Sequence, residues 1–320
     1  MMQELEILIR RAGELAKQKT LSAQVHIKAA SDFVTDADLA VSRFLMEELV
    51  RLVPDSHVLS EEDTCADSLE GRLFIVDPVD GTTNLMYRLG LSAISCGYAE
   101  NGELLAGVIY NPFTDEMFTA EKGKGARLNG RPIHVNADPA MRDALIGMEA
   151  GPATFSKQGS FLQKVGEMYG QCRGVRLTGS AALDLAYLAA GRMSAVVFHY
   201  LYPWDFAAGW LILSEAGGQL TLLDGGEPVL SGMSRPLLAS NGRIHEEMKA
   251  FFDGVQQAAE IRFPHMRRKK LPPRRGSAEL RCPSCGEFFV FQPVLPETGG
   301  LAALEKGRCF RLILILVKMA

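Results

Sequence analysis

The sequence contains no apolar run long enough to cross a membrane. A membrane-spanning helix needs about 20 consecutive apolar residues, and the longest candidate here, Leu312 to Val317, is far shorter. The N-terminal stretch MMQELEILIRRAGELAKQ is amphipathic and carries acidic residues early, which is not the pattern of a signal peptide. We therefore expect a cytoplasmic protein without a membrane anchor.

A cysteine framework and paired metal-ligating histidines are also missing. The chain has 6 cysteines in 320 residues, and Cys65, Cys96 and Cys172 lack framework spacing, so they fit free thiols of a reducing compartment. Cys282 and Cys285 resemble half of a zinc ribbon, with only Cys309 nearby as a third ligand. Because a closed zinc site needs four ligands, zinc binding is the weaker interpretation of this pair.

The charge of the chain is unevenly distributed. Residues 251–320 hold 12 Lys/Arg and 6 Asp/Glu, whereas the remainder holds 22 basic and 32 acidic residues. The acidic body suits a protein that binds cations. The whole has 47% hydrophobic and 22% charged residues, as in an ordinary globular protein with room for a sizeable core.

Apolar periodicity predicts alternating helices and strands. Helical spacing opens the chain at residues 5–16 and returns at 38–53, and two buried strands are expected at 57–62 and 72–81. Between 91 and 135, short strands alternate with turn pairs such as Asn101-Gly102, which indicates an antiparallel meander. Further elements are expected as helices at 157–170 and 180–192, a strand at 195–199, and a helix from Asp205 to Gly217-Gly218. The predicted fold is α/β with alternating layers of helices and sheets, the sheets largely antiparallel.

The segment Asp77 to Asn84, DPVDGTTN, contains candidate metal-binding residues. Two carboxylates lie three residues apart directly after a strand, Pro78 stiffens the turn, and Gly81 permits unusual backbone angles. Mg²⁺ prefers oxygen ligands from a few carboxylates together with phosphate oxygens of a substrate. Read alone, an Asp-x-x-Asp turn is usually only a turn with capping residues.

Five segments in order resemble motifs of the inositol monophosphatase family, over about residues 5–250. They are Asp32 to Asp38 with Lys28 upstream, Glu61-Glu62 after a strand, Asp77 to Asn84, Arg176 to Ala182, and Pro203 to Gly218. The resemblance implies the fold of inositol monophosphatase and fructose bisphosphatase, a Mg²⁺-dependent and lithium-sensitive phosphomonoesterase activity, and a homodimer.

The resemblance also assigns roles residue by residue. Glu61, Asp77 and the Val79 carbonyl would hold one Mg²⁺, and Asp77, Asp80 and Asp205 a second, with a weaker third ion near Glu61. Thr82, oriented by Asp38, would act with Glu61 on the attacking water. The expected substrate contacts are Asp80, Gly81, Thr82, Gly179, Ser180, Ala181, Asp205 and Lys28.

Several of these residues also have a simpler interpretation. Lys28 could screen the site or be an ordinary solvated lysine. Ser180 is better explained as a helix cap than as a nucleophile, and Trp204 as core packing. His199 lies near the site in sequence and fits an orienting or structural role.

Two departures from the family pattern leave the alcohol part of the substrate open. The family often places an acid seven residues before the distal aspartate, where this chain has Phe198, and its Gly-Arg-x-Asp segment ends here in Ser194. Inositol 1-phosphate is the substrate we expect first. Fructose 1,6-bisphosphate and NADP are the alternatives, since relatives with this kind of site act on them.

The C-terminal residues are expected to form a separate unit. The resemblance stops near residue 250, so we place a phosphatase domain at 1–260 and a tail at 261–320. Residues 265–276 read as a basic, proline-containing linker, and the tail is either an appended module or a disordered stretch. A basic tail of this kind could also attach the body to nucleic acid or an acidic partner.

Overall fold

The structure is a computed structural model that describes residues 1–20, 25–29, 32–62, 70–149, 159–230, 235–252, 278–281 and 288–291. Contacts between Cα atoms divide the chain into two units, Met1–Ala259 and Glu260–Ala320. The linker 265–276, the apolar run 312–317 and the cysteines at 65, 282, 285 and 309 lie outside the described residues. The domain boundary after residue 260 and the nature of the tail therefore stay predictions. Among the described helices, none is long and apolar enough to cross a membrane.

Two N-terminal helices cover one face of the first sheet. The elements are α1 (Met2–Thr20), the hairpin β1 (Val25–Ala29) and β2 (Asp32–Thr35), and α2 (Asp36–Leu52). Thr35 and Asp38 close a capping box at the start of α2, which fixes where the helix begins. Leu5 and Ile9 of α1 and Leu45 of α2 are buried in one apolar cluster with Phe74 of the sheet. The first helical turn of α2 is thus held rigidly beside the sheet.

The first sheet has seven strands in chain order. They are β3 (Ser56–Ser60), β4 (Arg72–Asp80), β5 (Ala93–Glu100), β6 (Glu103–Asn111), β7 (Glu116–Glu121), β8 (Ala126–Leu128) and β9 (Arg131–Ile133), with the short helix α3 (Thr82–Tyr87) after β4. Only the β3–β4 pair is parallel, and the others are antiparallel. Strand β4 is buried along almost its whole length, as expected for a strand covered on both faces.

The second sheet has five strands in the order β11-β10-β12-β14-β13. The elements of this half are β10 (Leu145–Glu149), α4 (Gly159–Met168), β11 (Gly174–Arg176), α5 (Ala181–Ala189), β12 (Ala195–Leu201), α6 (Pro203–Glu215), β13 (Gln219–Leu222), β14 (Arg235–Ser240) and α7 (His245–Phe251). Two of its pairs are parallel and two antiparallel.

Helices α5 and α6 lie between the two sheets. Their apolar side chains share one buried cluster with residues of both sheets, among them Ile109 of β6 and Phe198 of β12. The outer face of the second sheet is covered by α4 and α7 through Met168 and Met248. The result is five layers, helix–sheet–helix–sheet–helix, which confirms the predicted layered α/β fold. In the unit Glu260–Ala320, β15 (Ala278–Arg281) and β16 (Phe288–Phe291) form an antiparallel hairpin.

Helix α6 approaches the first sheet closely because two strands present glycine to it. A Cβ added at Gly107 of β6 would lie 2.7 Å from the carbonyl oxygen of Ala208, and one at Gly97 of β5 would lie 3.3 Å from the Ala207 Cβ. Real Cβ atoms do not approach backbone oxygen this closely, so the helix would have to move. The two glycines therefore set the position of α6 and of the acid at its start.

Gly107→Ala should lower the free energy of unfolding by about 1–3 kcal/mol, since overpacking forces a backbone shift. The phosphate ester hydrolysis that the family resemblance implies should fall as well, because the shift moves α6. Urea unfolding measures the first effect. The matched control is Gly166→Ala in α4, where an added Cβ meets nothing within 4 Å and should be neutral or stabilising by up to about 1 kcal/mol. Equal unfolding midpoints for Gly107→Ala and the natural chain would contradict the packing argument.

Candidate active site

Strand β4 carries two aspartates at its C-terminal end. Asp77 pairs with Ser95 of β5, and the register then shifts before Asp80, so Pro78 and Val79 form an irregularity between the two acids. Both acids are buried, and the Val79 amide donates to Asp77 Oδ1 at 3.0 Å. Because of this shift in register, Asp77 and Asp80 both lie at the same edge of the sheet although they are three residues apart.

Gly81 makes the turn that follows. Its φ is +82°, a left-handed value, and a Cβ there would lie 2.8 Å from the Leu91 carbonyl oxygen and 3.1 Å from that of Gly179. The Ser92 hydroxyl donates to the Gly81 carbonyl at 2.9 Å and fixes the turn. Both conformation and space therefore require glycine here, and helix α3 starts at the next residue.

Thr82 points its hydroxyl at a second element. Thr82 Oγ1 lies 2.8 Å from Asp38 Oδ1 and 3.2 Å from the Val79 carbonyl oxygen. Asp38 is itself held by the capping box, because the Thr35 amide donates to its Oδ2 at 2.9 Å and the Thr35 hydroxyl donates to the same oxygen. The rigid start of α2 thus orients the first side chain of α3.

Glu61 and Asp205 reach the same region from other elements. Strands β3 and β4 are parallel with Ser60 opposite Val76, so Glu61 emerges beside Asp77, and it is half-buried. Asp205 lies in the first turn of α6, where its Oδ2 accepts from the Tyr202 amide at 2.7 Å. Four acids from three separate elements therefore meet at one end of the first sheet.

The acids repel one another, and their pKa values show it. The pKa of Asp77 is raised well above its usual range, first by burial and then by the charges of Glu61, Asp80, Asp205 and Asp38. Burial, together with the charges of Asp80 and Glu61, likewise raises the pKa of Asp205 well above its usual range. Burial raises the pKa of Asp80 to about 6, although hydrogen bonds from Ser180 and Ala182 oppose the shift.

Such a cluster suits hard divalent cations, since each of its ligand atoms is an oxygen and a cation would neutralise the repulsion. Within the described parts of the chain, no three His, Cys, Asp or Glu side chains are arranged so that a single metal ion could contact all of them. In this arrangement Asp80 accepts a hydrogen bond from Ser180, and Asp205 accepts one from the Tyr202 amide. The proposed ligand set also includes the Val79 carbonyl and substrate oxygens, which are not carboxylates.

Ser180 and Ala182, at the start of α5, form hydrogen bonds with Asp80. The Ser180 hydroxyl and the Ala182 amide, the latter at 2.8 Å, both donate to Asp80 Oδ2. Ser180 also caps α5 by accepting from the Leu183 amide, as the sequence predicted. Asn84 Nδ2 lies 2.7–3.2 Å from the carbonyl oxygens of Leu91, Thr178 and Gly179, so α3 is fastened to the turn before α5.

The other residues predicted from the sequence have the following positions. Gly179 and Ala181 flank Ser180, and their backbone faces the α3 turn or begins α5. Lys28 lies in β1, but its side chain is outside the described residues. Trp204 is buried in the central apolar cluster, which confirms the packing interpretation, and His199 is buried too. The metal, catalytic and substrate roles of all these residues stay predictions.

Three residues of this site were not predicted from the sequence. Asn84 and Thr178 lie in two of the segments that resemble the family, but neither has an expected role there. Asp184 lies outside those segments, although it is a single acid inside the apolar helical segment AALDLAYLAA. A lone buried acid in such a segment is a signal that could have been used.

Comparisons with known proteins point to one family. The model of the family described as "Inositol monophosphatase family" matches residues 2–257. The inositol-1-monophosphatase of Rhizobium meliloti (strain 1021) is 40% identical over 211 residues, which cover 65% of this chain and 79% of that protein. The fructose-1,6-bisphosphatase/inositol-1-monophosphatase of Thermotoga maritima is 36% identical, over 68% of this chain and 81% of its own. The crystal structure of the extragenic suppressor protein suhB from Bartonella henselae has a TM-score of 0.74 at 32% identity, and covers 79% of this chain and 98% of its own.

Asp205→Asn should keep the hydrogen bond from the Tyr202 amide and remove one charge from the cluster. A lost cation ligand forfeits several kcal/mol of transition-state stabilisation, so we expect hydrolysis of phosphate esters to fall by at least about 100-fold. The metal-free variant should melt at the same temperature as the natural chain or higher, because repulsion is relieved. Asp138→Asn, which removes an acid bonded to Ser194, is the control for charge alone. A variant that turned over normally would remove Asp205 from the ligand set.

Proposed function

The chain belongs to the inositol monophosphatase family and is a phosphoric monoester hydrolase, and on this premise we propose that it hydrolyses a small phosphate monoester with Mg²⁺. The family is generally metal-dependent. The ions, two to three in number, would be held by Glu61, Asp77, Asp80, Asp205 and the Val79 carbonyl. The observation that carries the proposal is the meeting of these acids at one end of the first sheet, where Asp77 and Asp80 are buried and the charges of four other carboxylates all raise the pKa of Asp77.

The chemistry of the reaction divides between the cations and the chain. When bound, Mg²⁺ supplies electrophilic stabilisation of the phosphate and eases ionisation of the attacking water. The chain positions the water: the Thr82 hydroxyl points its proton at Asp38 Oδ1, 2.8 Å away, which leaves its lone pairs to accept from the water. Glu61 acts with Thr82 by accepting the water's proton. The water oxygen forms the new bond to phosphorus, the bond from phosphorus to the ester oxygen breaks, and that oxygen takes a proton from a solvent water molecule and leaves as the alcohol.

Inositol 1-phosphate is the substrate that we propose, which would be converted with water to myo-inositol and phosphate. Support comes from the relative named inositol-1-monophosphatase at 40% identity. The name fructose-1,6-bisphosphatase/inositol-1-monophosphatase of another relative keeps fructose 1,6-bisphosphate open, and NADP stays an alternative on the same site. Phe198 has no exposed surface and supplies no carboxylate to ring hydroxyls, so inositol would have to be recognised by other groups.

The remaining expectations are proposals of the same kind. We propose lithium sensitivity and a homodimer because the family resemblance implies them, and a cytoplasmic location because the cysteines fit free thiols of a reducing compartment. The alternative of a tail that binds nucleic acid or an acidic partner depends on residues outside the described part of the chain. A nucleic-acid mobility shift with and without residues 261–320 would test that alternative.

A screen of small phosphate esters should find phosphate release that requires added Mg²⁺ and stops with excess chelator. The all-oxygen ligand set favours a hard ion. Inositol 1-phosphate, fructose 1,6-bisphosphate and NADP should be compared at equal concentration, with the ratio of kcat/KM values deciding among them. Lithium should inhibit the reaction. Full activity in excess chelator would overturn the proposed mechanism.

Thr82→Ala should lower kcat by about 100-fold and leave KM nearly unchanged, since a group that acts on the attacking water is used in the transition state. Thr82→Ser keeps the hydroxyl near Asp38 and is the matched control, with activity close to that of the natural chain. Steady-state kinetics on the best substrate of the screen measures both. A change confined to KM would give Thr82 a binding role instead.

A further inference from the structure

Asp184 is a carboxylic acid enclosed in the apolar centre of the molecule. It lies in the first turn of α5 with no exposed surface, and its neighbours Leu183 and Leu185 are equally buried. Asp184 Oδ1 accepts a hydrogen bond from Thr178 Oγ1 at 2.8 Å, and within the described structure its Oδ2 has no hydrogen-bond partner. A half-bonded carboxyl group in an apolar helix costs stability, and its one hydrogen bond leads toward the acid cluster.

The bond to Thr178 begins a short chain of contacts that ends on Asp80. Thr178 Oγ1 also accepts from the Ser180 amide at 3.3 Å. The Ser180 hydroxyl in turn donates to Asp80 Oδ2. The turn from Thr178 to Ser180 is therefore fixed by Asp184 on one side and holds Asp80 on the other.

Asn84 fixes the same turn from the opposite side. Its amide nitrogen lies 2.8 Å from the Thr178 carbonyl oxygen and 3.2 Å from that of Gly179. With both ends tied, the turn has one arrangement, and a displacement of Thr178 is passed directly to Ser180. This arrangement therefore orients the Asp80 carboxylate.

We infer that Asp184 is a positioning residue that acts through Thr178 and Ser180 to hold the Asp80 carboxylate in place for a divalent cation. The inference rests on the proposed function, in which Asp80 is a cation ligand. Groups that orient a ligand commonly matter for metal affinity about 10- to 100-fold. Asp184 touches neither cation nor substrate in this role.

Mn²⁺ binding to the full chain, followed by electron paramagnetic resonance of the free ion, tests the inference without using activity. Asp184→Ala and Thr178→Val should each weaken Mn²⁺ binding by about 10-fold or more. Asp184→Asn keeps an oxygen that accepts from Thr178. Asparagine is also neutral, as a protonated carboxyl group is, and burial raises the pKa of Asp184 well above its usual range. This variant should bind Mn²⁺ within about threefold of the natural chain, because the orienting bond survives.

The double variant distinguishes an effect of Asp184 that is transmitted through Thr178 from a general loss of structure. If Asp184 acts only through Thr178, then adding Asp184→Ala to Thr178→Val should weaken Mn²⁺ binding no further. Asp138→Ala is the matched control, because Asp138 also accepts from a buried hydroxyl, that of Ser194, at 2.6 Å. It should cost stability and leave Mn²⁺ affinity unchanged.

The possible failures are distinguishable. Equal Mn²⁺ affinity in the natural chain, Asp184→Ala and Thr178→Val would overturn the inference alone, as would additive losses in the double variant. If Asp184→Ala does not fold, Thr178→Val decides by itself, since it replaces only a hydroxyl by a methyl group. No Mn²⁺ binding by the natural chain would contradict the proposed function and this inference together.

Discussion

Electrostatic repulsion among buried carboxylates is the constraint on which the rest of this structure depends. Asp77 and Asp80 are buried at the end of one strand, and the charges of Glu61 and Asp205 reach them from neighbouring elements. Burial and like charge both disfavour ionisation, so the fold stores free energy at this point. A bound divalent cation would release that free energy, and cation binding and folding stability would thereby be linked.

The five-layer architecture keeps the acids in place against their repulsion. Helix α6 is seated on the first sheet by Gly97 and Gly107, and its first turn carries Asp205. Strand β4 is covered by helices on both faces and ends at the two aspartates. Because Asp77, Asp80 and Asp205 belong to elements packed in the core, these three acids cannot move away without disturbing packing at native density.

The sequence allowed the layers and the principal acids to be predicted because local patterns encode them. A short apolar run that ends in acids predicted β4, and Gly81 in the segment DPVDG predicted the turn after the strand. The contacts between Ser180 and Asp80 could not be predicted in this way, since the two residues are 100 positions apart. Asn84 was missed for the same reason, since its partners Thr178 and Gly179 are 94 and 95 positions away. Asp184 bonds to a residue only 6 positions away, and its role follows from the contact of Ser180 with Asp80, which only the packed structure shows. The hairpin of β1 and β2 was missed because its strands, Val25–Ala29 and Asp32–Thr35, are too short to show alternation.

The claim that the acid cluster is a cation site for phosphate ester hydrolysis can be tested directly by crystallography. Crystals of the protein grown with Mn²⁺ and inorganic phosphate would be measured at the manganese absorption edge. The account predicts anomalous peaks in contact with Glu61, Asp77, Asp80 and Asp205, with Asp77 shared between two ions and phosphate oxygens completing the coordination. Well-ordered crystals with phosphate and Mn²⁺ present, and no anomalous peak within contact distance of Asp77, would contradict it.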